Sequence, residues 1–138
     1  MAKKYEVTGA INRLTSALAR LGVGRTELMT TIGRKSGEAR RVPVSPIVLD
    51  GVEYLVSPYG ERAWVHNARA NPMVTLRHGP RQRQVRLEKV SDGAAVVAGY
   101  YARESFARPY MDVPESPTVG DFAARSDQFP VFRVIPAG

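Results

Sequence analysis

The sequence contains no cysteine, only two histidines and a single tryptophan in 138 residues. Without cysteine it can form no disulfide, thiolate metal site or cysteine nucleophile, which is typical of a cytoplasmic protein. His66 and His78 have no paired ligand spacing around them, so we predict no metal site. There is no apolar run of about 18 residues and no charged-then-apolar leader, so we expect neither a membrane span nor membrane association.

Acidic residues are also scarce: 13 Asp and Glu are outnumbered by 20 Lys and Arg, giving a formal net charge of +7. This excess favours an anionic partner, either nucleic acid, anionic lipid, or a phosphorylated or carboxylated small molecule. The cations are scattered between Arg25 and Arg108, and the aromatic rows used for base stacking are missing. We therefore expect a small-molecule ligand and no nucleic acid. Length and a hydrophobic content of 43% favour one domain over residues 1–138.

The apolar periodicity predicts mostly strands with a few helices. Apolar residues at helical spacing predict an N-terminal amphipathic helix over about 9–21, ended by Gly22 and Gly24. Six segments have strand composition: 26–32, 40–49, 52–57, 73–77, 82–90 and 129–135. Further helices are predicted over 61–70, from an Asp92 N-cap to Glu104, and over 119–125.

Proline and glycine positions then constrain the arrangement of these strands. Pro43 and Pro46 cannot donate ladder hydrogen bonds, so their strand should lie at an edge, carry a bulge or turn a barrel corner. Asp50-Gly51 predicts a hairpin into the next strand, so the first three strands should form a meander. We predict a mainly β (α+β) fold, a small antiparallel barrel with helices at its rim, whose closure removes exposed edges.

The turn between the first two strands is the strongest candidate for function. Gly33 and Gly37 bracket Arg34, Lys35 and Ser36, and the next strand begins near Arg40. Two cations, a hydroxyl and flexible backbone provide the chemistry that an anionic ligand needs. A solvated turn with no ligand has the same composition, so the turn by itself leaves both interpretations open.

Further motifs occur in order along the chain. They are Thr30 to Gly37 (TTIGRKSG) with Arg40 and Pro43, Asp50-Gly51, Tyr59-Gly60, Trp64 and Asn67 followed by Ala70-Asn71-Pro72, and Phe129-Pro130-Val131-Phe132. Together they resemble the deazaflavin-dependent nitroreductase family of actinobacterial split β-barrel oxidoreductases. These proteins bind the 8-hydroxy-5-deazaflavin coenzyme F420, and the resemblance implies the split β-barrel fold shared with flavin-reductase and FMN-binding proteins.

The resemblance also implies a site, position by position. In the family, matching residues hold the anionic tail of phosphodiester and oligoglutamate, line the ring and phosphate region, approach the deazaflavin ring, and form the wall behind it. In this chain they are Arg34, Lys35 and Ser36 for the tail, Arg40, Arg41, Val42 and Pro43 for the ring and phosphate region, Ser57, Pro58, Tyr59 and Gly60 beside the ring, and Ala63, Trp64, Val65, His66 and Asn67 for the wall. Ser57 and Tyr59 are the candidate catalytic residues, as a proton donor or for ring positioning, and His66 is a further candidate donor.

The implied activity is hydride transfer from reduced F420 to a small electrophile, which would be a quinone, an unsaturated carbonyl or a nitro compound. The coenzyme carries this chemistry, which agrees with the absence of a recognisable triad or paired carboxylates. The alternatives are an FMN-binding or haem-binding split barrel and a non-catalytic F420 carrier. In each case we expect the protein to be a monomer or a homodimer. Segment 118–125 lacks the tyrosines that nitroimidazole-reducing members have there, which argues against nitroimidazole activity.

Overall fold

The computed structural model describes residues 13, 14, 16–18, 22 and 24–137. Within them, seven strands form one antiparallel sheet in the order β2-β1-β5-β6-β7-β4-β3. The strands are β1 (Glu27–Ile32), β2 (Ala39–Val44), β3 (Ile47–Leu49), β4 (Val52–Val56), β5 (Met73–His78), β6 (Arg81–Val90) and β7 (Val131–Pro136). The helix predicted over 9–21 lies largely outside the described residues, although 13, 14 and 16–18 are helical.

The predicted single strand over 40–49 is wrong, and so is the meander. The chain forms β2 and β3 there, and these two strands lie at opposite edges of the sheet. Ser45 and Pro46 separate them, because a proline at the corner cannot continue the ladder. Pro43 lies in β2, which pairs with β1 alone, so the predicted edge position is confirmed. Both sheet edges persist, contrary to the predicted closure, and the barrel is therefore split.

The hairpin between β3 and β4 forms as predicted. Asp50 and Gly51 both have positive φ, of 51° and 78°, which is the backbone of a type I′ turn. Glycine adopts this conformation freely and aspartate tolerates it better than most residues. This local requirement fixes the register in which Ile47 pairs with Tyr54.

The concave side of the sheet holds the first of two cores, which we call the barrel core. Helix α1 (Ala63–Ala70) packs against it through Val65 and Ala68. The buried residues of this core are Met29, Leu55, Val65, Ala68, Val74, Leu76, Val85, Leu87, Phe132 and Val134. Each large aliphatic or aromatic side chain buried there contributes about 1.5–3 kcal/mol, so this core anchors α1 against the sheet.

A second core lies between the sheet and the two later helices, α2 (Ala94–Arg103) and α3 (Val119–Ala123). The predicted Asp92 N-cap is wrong, because the N-cap residue is Gly93. Glycine has no side chain, so no side chain caps this helix. A Cβ at Gly93 would lie 2.7 Å from Val131 Cγ2, so close packing against β7 requires glycine at this position. Helix α3 begins with a capping box between Thr118 and Asp121.

One end of the barrel core is closed by charge. Arg83 donates to both carboxylate oxygens of Glu53 at 2.6 Å and to Glu27 at 3.2 Å. Glu27 and Glu53 belong to strands on either side of β6, each two places away, so the contact requires a strongly curled sheet. The hydrogen bond to Glu53, followed by attraction to both carboxylates, raises the pKa of Arg83 above its ordinary range. We call this cluster of Arg83, Glu53 and Glu27 the carboxylate end.

Candidate cofactor-binding site

The turn between β1 and β2 is tightly closed. The Gly33 amide donates to the Glu38 carbonyl at 2.8 Å, and the Gly37 amide donates to the Gly33 carbonyl at 2.9 Å. Gly37 has a φ of 72°, and a Cβ at Gly33 would lie 2.7 Å from Ser36 Oγ. Both glycines are therefore required by the turn, which leaves Arg34, Lys35 and Ser36 exposed at its tip.

Asn67 connects this turn to helix α1. Its side-chain oxygen accepts from the Arg34 amide at 3.2 Å and from Arg34 Nη1 at 2.9 Å. Its nitrogen makes a long contact of 3.5 Å with Thr31 Oγ1, and Asn67 is only 4% exposed. Because the partner of Arg34 is a neutral amide, the guanidinium is held in place while its positive charge is retained. We call this cluster of Asn67, Arg34 and Thr31 the amide end.

Arg40 lies on the same face as the amide end. It is paired with Thr31 across the β1–β2 ladder, and its Nε lies 3.7 Å from where a Gly33 Cβ would be. It contacts Glu38 at 3.5 Å, but the two side chains are 59% and 71% exposed. Such an exposed pair contributes about 0–1 kcal/mol, so Arg40 can exchange Glu38 for another anion at little cost.

Arg41 does not join this group. It pairs with Thr30, so it lies on the opposite, outer face of the sheet, since neighbouring strand residues alternate between faces. Val42 and Pro43 divide in the same way: Val42 packs against the barrel core, and Pro43 pairs with Leu28. Of the four residues at the start of the returning strand, Arg40 and Val42 share the concave side.

The loop after β4 is fixed by one buried side chain. Ser57 is 0% exposed, and its amide donates to the Pro130 carbonyl at 2.8 Å. Its hydroxyl donates to the Gly60 carbonyl at 2.5 Å, so its proton is engaged in holding the loop. Pro58 is buried, and the Tyr59 ring lies edge-on to Tyr110 at 5.9 Å and 88°. A role for Ser57 or Tyr59 in proton transfer stays a prediction.

Helix α1 combines a buried face with a charged one. Trp64 packs on Phe132 with ring centroids 5.7 Å apart, and Val65 is completely buried, whereas Ala63 is exposed. On the charged face, Glu61 makes a double contact with Arg69 at 2.6 and 2.8 Å and lies 3.6 Å from His66. The hydrogen bond from Arg69 lowers the pKa of Glu61 below its ordinary value. His66 is therefore half-buried beside a carboxylate.

The predicted set of site residues omits Thr31 and Glu61. Thr31 is 1% exposed and lies on the core-facing side of β1, where its hydroxyl also donates to the Arg40 carbonyl at 3.4 Å. A polar residue in the alternating pattern after Met29 was the available signal. No described helix is long and apolar enough to cross a membrane. No cluster of three potential metal ligands occurs in the part of the chain that the structure describes.

A family model for F420H2-dependent quinone reductases matches residues 6–132. The chain belongs to this family. Membership confirms the resemblance in the motifs and identifies coenzyme F420 as the cofactor of an oxidoreductase. The donor set agrees with this coenzyme, because the turn and the start of β2 offer cations and a hydroxyl that suit an anionic tail. These donors are Arg34, Lys35, Ser36 and Arg40.

Solved structures confirm the predicted fold of this F420H2-dependent quinone reductase family member. An F420 reductase is similar at a TM-score of 0.50 and 19% identity, over 89% of this chain and 93% of that chain. An FAD-binding protein from Mesorhizobium loti gives 0.54 and 17%, over 96% and 91%. HutZ, the haem storage protein of Vibrio cholerae, gives 0.55 and 11%, over 91% and 87%. These likenesses establish the split-barrel fold alone.

Proposed function

We propose that the chain transfers a hydride from reduced F420 to a small electrophilic substrate, a quinone or unsaturated carbonyl ahead of a nitro compound. The observation that carries the proposal is the amide end, where Asn67 holds Arg34 without neutralising its charge. A carboxylate in that place would cancel the charge of Arg34, whereas the amide of Asn67 orients the side chain and leaves the charge uncancelled. The uncompensated cation therefore favours an anionic ligand.

The turn binds the anionic tail of the coenzyme. Arg34, Lys35 and Arg40 contribute charge, and Ser36 contributes a hydroxyl whose oxygen accepts from the Glu38 amide at 3.1 Å. A charge-assisted hydrogen bond contributes about 1.5–3 kcal/mol when partly desolvated and much less when exposed. Micromolar affinity corresponds to about 8 kcal/mol, so it requires three such contacts at the upper end of this range or further contacts with the rest of the coenzyme.

Asn67 acts as a positioning residue for Arg34. An arginine side chain loses about 2 kcal/mol of rotamer entropy when it becomes ordered. The hydrogen bonds from Arg34 to Asn67 already provide part of that order before a ligand arrives. We therefore assign Asn67 to preorganisation of the tail site, in addition to its place in the wall behind the ring.

The loop after β4 and helix α1 form the walls that position the deazaflavin ring. When bound, the reduced deazaflavin supplies the hydride. The Ser57 hydrogen bonds to Pro130 and Gly60 fix the loop, and the contact between Trp64 and Phe132 fixes the wall. Rigid walls hold donor and acceptor in a reactive geometry and exclude water. Ser57 and Tyr59 then position the ring. His66, which is half-buried in the same region, stays a candidate proton donor.

The segment before β7 favours quinones over nitroimidazoles. It is used structurally, because Thr118 caps α3 and Phe122 is 1% exposed in the second core. Its sequence contains no tyrosine to line a nitroimidazole pocket. The description of the family as quinone reductases supports the same preference. A cytoplasmic location, one domain over 1–138 and a monomeric or homodimeric state stay predictions.

The test is oxidation of reduced F420 by a panel of quinones, unsaturated carbonyls and nitro compounds, followed by absorbance. We expect turnover with at least one quinone. Tight F420 binding with no turnover of any acceptor would instead support a carrier. Binding of FMN or haem in preference to F420 would overturn the proposal.

A further inference from the structure

A second group of cations lies on the outer face of the sheet, away from the barrel core. It surrounds a cavity of about 370 Å³. We call this cavity the outer groove, and the described residues that line it are Leu28, Thr30, Arg41, Thr75, Arg77 and Gln82. Thr30 lies between Met29 and Thr31, which both face the core side, so the groove is separated from the amide end by the sheet itself.

The ladder registers explain why these residues converge. Thr30 pairs with Arg41 on one side and with Thr75 on the other. Leu28 pairs with Arg77, which pairs with Gln82. Arg41 and Arg77 therefore flank β1 diagonally, with Cα atoms about 12 Å apart from standard strand spacings. Two arginine side chains can reach a common ligand across that distance, above the Thr30 and Thr75 hydroxyls.

Among the residues that the structure describes, those that line the groove provide donors and no opposing charge. None of the described residues that line it is acidic, and no described carboxylate pairs with Arg41 or Arg77. Arg86, on the same face, contacts Glu88 at 3.7 Å, so the neighbouring arginine is compensated. The Arg77 Nε donates to the Gly79 carbonyl at 3.0 Å, which orients the guanidinium and leaves its terminal nitrogens for a ligand.

We propose that the outer groove is a second binding site for an oxyanion, a phosphate or a carboxylate group. Paired guanidinium forks with hydroxyl and amide donors match the oxygens of either group. The oxyanion has two sources. One is a free phosphorylated or carboxylated small molecule; the other is the far end of the oligoglutamate tail of F420. The second source rests on the proposed function.

The position of β2 makes the second source feasible. Arg40 and Arg41 are consecutive residues of an edge strand and lie on opposite faces of it. A flexible tail held by Arg40 on the concave face can therefore pass around the open edge to Arg41 on the outer face.

The experiment titrates the full chain with inorganic pyrophosphate and, separately, with a tetraglutamate peptide. Calorimetry gives the dissociation constant, and backbone amide NMR shifts at Thr30 and Thr75 locate the site. The titrations are repeated in the Arg34→Ala, Lys35→Ala double variant, in which the cations of the turn can no longer bind the probe. We expect saturable binding that Arg41→Ala or Arg77→Ala weakens at least fivefold, whereas the matched control Arg86→Ala changes it less than twofold.

Thermal melting verifies that each variant is folded. Absence of saturable binding by both probes, or equal affinity in the Arg41→Ala, Arg77→Ala double variant, overturns the outer groove as a site. If Arg86→Ala weakens binding as much as Arg41→Ala does, the effect is one of net charge and the proposal also fails.

A second arm separates the two sources and uses F420 with shorter and longer glutamate tails. If the tail occupies the groove, the longer tail binds the wild-type chain several-fold more tightly, and Arg41→Ala removes that gain. If a free ligand occupies it, tail length has no effect and pyrophosphate still binds beside saturating F420. Pyrophosphate binding without any F420 binding would overturn the proposed function and leave the groove intact.

Discussion

Two arginines contact opposite ends of the same barrel core, and they differ in what holds them. At the carboxylate end, Arg83 is neutralised by Glu53 and Glu27. At the amide end, Arg34 is held by the neutral side chain of Asn67. Both arrangements fix a guanidinium, but only the second leaves its charge available. The type of partner, more than the arginine itself, therefore distinguishes a cation that closes a core from one whose charge stays available for the proposed ligand.

The largest expected effect comes from removing charge at the amide end. Replacing Arg34 and Lys35 by alanine should weaken F420 binding at least tenfold, because the tail loses its strongest donors. The melting temperature should remain nearly unchanged, since both side chains are exposed. Calorimetry and thermal melting measure the two quantities. An unaltered dissociation constant would contradict the assignment of the tail site.

Asn67→Asp converts the amide end into a copy of the carboxylate end. The new carboxylate should pair with Arg34 and weaken F420 binding about tenfold, or about 1.4 kcal/mol, by neutralising the cation. The salt dependence of binding should decrease as well, because one cation fewer reaches the tail. Titration of F420 at several ionic strengths measures both. Asn67→Ala is the matched control, and it should lower the melting temperature without this loss of salt dependence.

Arg83→Ala should affect stability and leave F420 binding unchanged. It removes the partner of two carboxylates, but Arg83 is itself 42% exposed, so we expect a loss of only about 1 kcal/mol. For a chain of this length that corresponds to about 3–4 °C in melting temperature. Thermal melting with and without F420 tests this. A change in the F420 dissociation constant would remove the distinction between the two ends.

The smallest effect concerns Glu61, which pairs with Arg69 outside the core. Its pKa in the folded chain lies below the ordinary value of 4.5, chiefly through the Arg69 hydrogen bond. The ionised group therefore contributes stability above about pH 4.5, and this contribution is lost as pH falls through the lowered pKa. Because both side chains are well exposed, we expect about 0.3–0.5 kcal/mol. Urea unfolding of Glu61→Gln should differ from wild type at pH 7, and the difference should disappear as pH falls through the lowered pKa of Glu61.

Local requirements were predictable from the sequence, whereas partners across the fold were not. Asp50-Gly51 specifies its turn by itself, because both residues need positive φ. The composition of 40–49 indicates extended chain but does not say which strands it will join. The need for glycine at position 93 depends on Val131, far along the chain, which packs against it, and so it cannot be predicted from the residues around Asp92.

The candidate site also has features that the sequence predicts and features that only the fold reveals. The cations of the turn are visible in the sequence, and strand alternation already separates Arg40 from Arg41 once the register is known. The contact between Arg34 and Asn67 joins residues 33 positions apart, so it depends on how α1 packs on the sheet. Charge is readable in the sequence, but whether a neighbour cancels it depends on the folded structure.

The position of β7 in the sheet also has a consequence for biosynthesis. Strand β7 is the last of the described strands in chain order, yet it lies between β6 and β4, and the Pro130 carbonyl just before it accepts a hydrogen bond from the Ser57 amide. Until residues 131–136 have been synthesised, β4 and β3 have no strand that joins them to β6 and the rest of the sheet. The sheet that carries the proposed site is thus completed only once β7 has been synthesised, and a nascent chain shortened before residue 130 would leave β4 and β6 unpaired with β7 and exposed to chaperones.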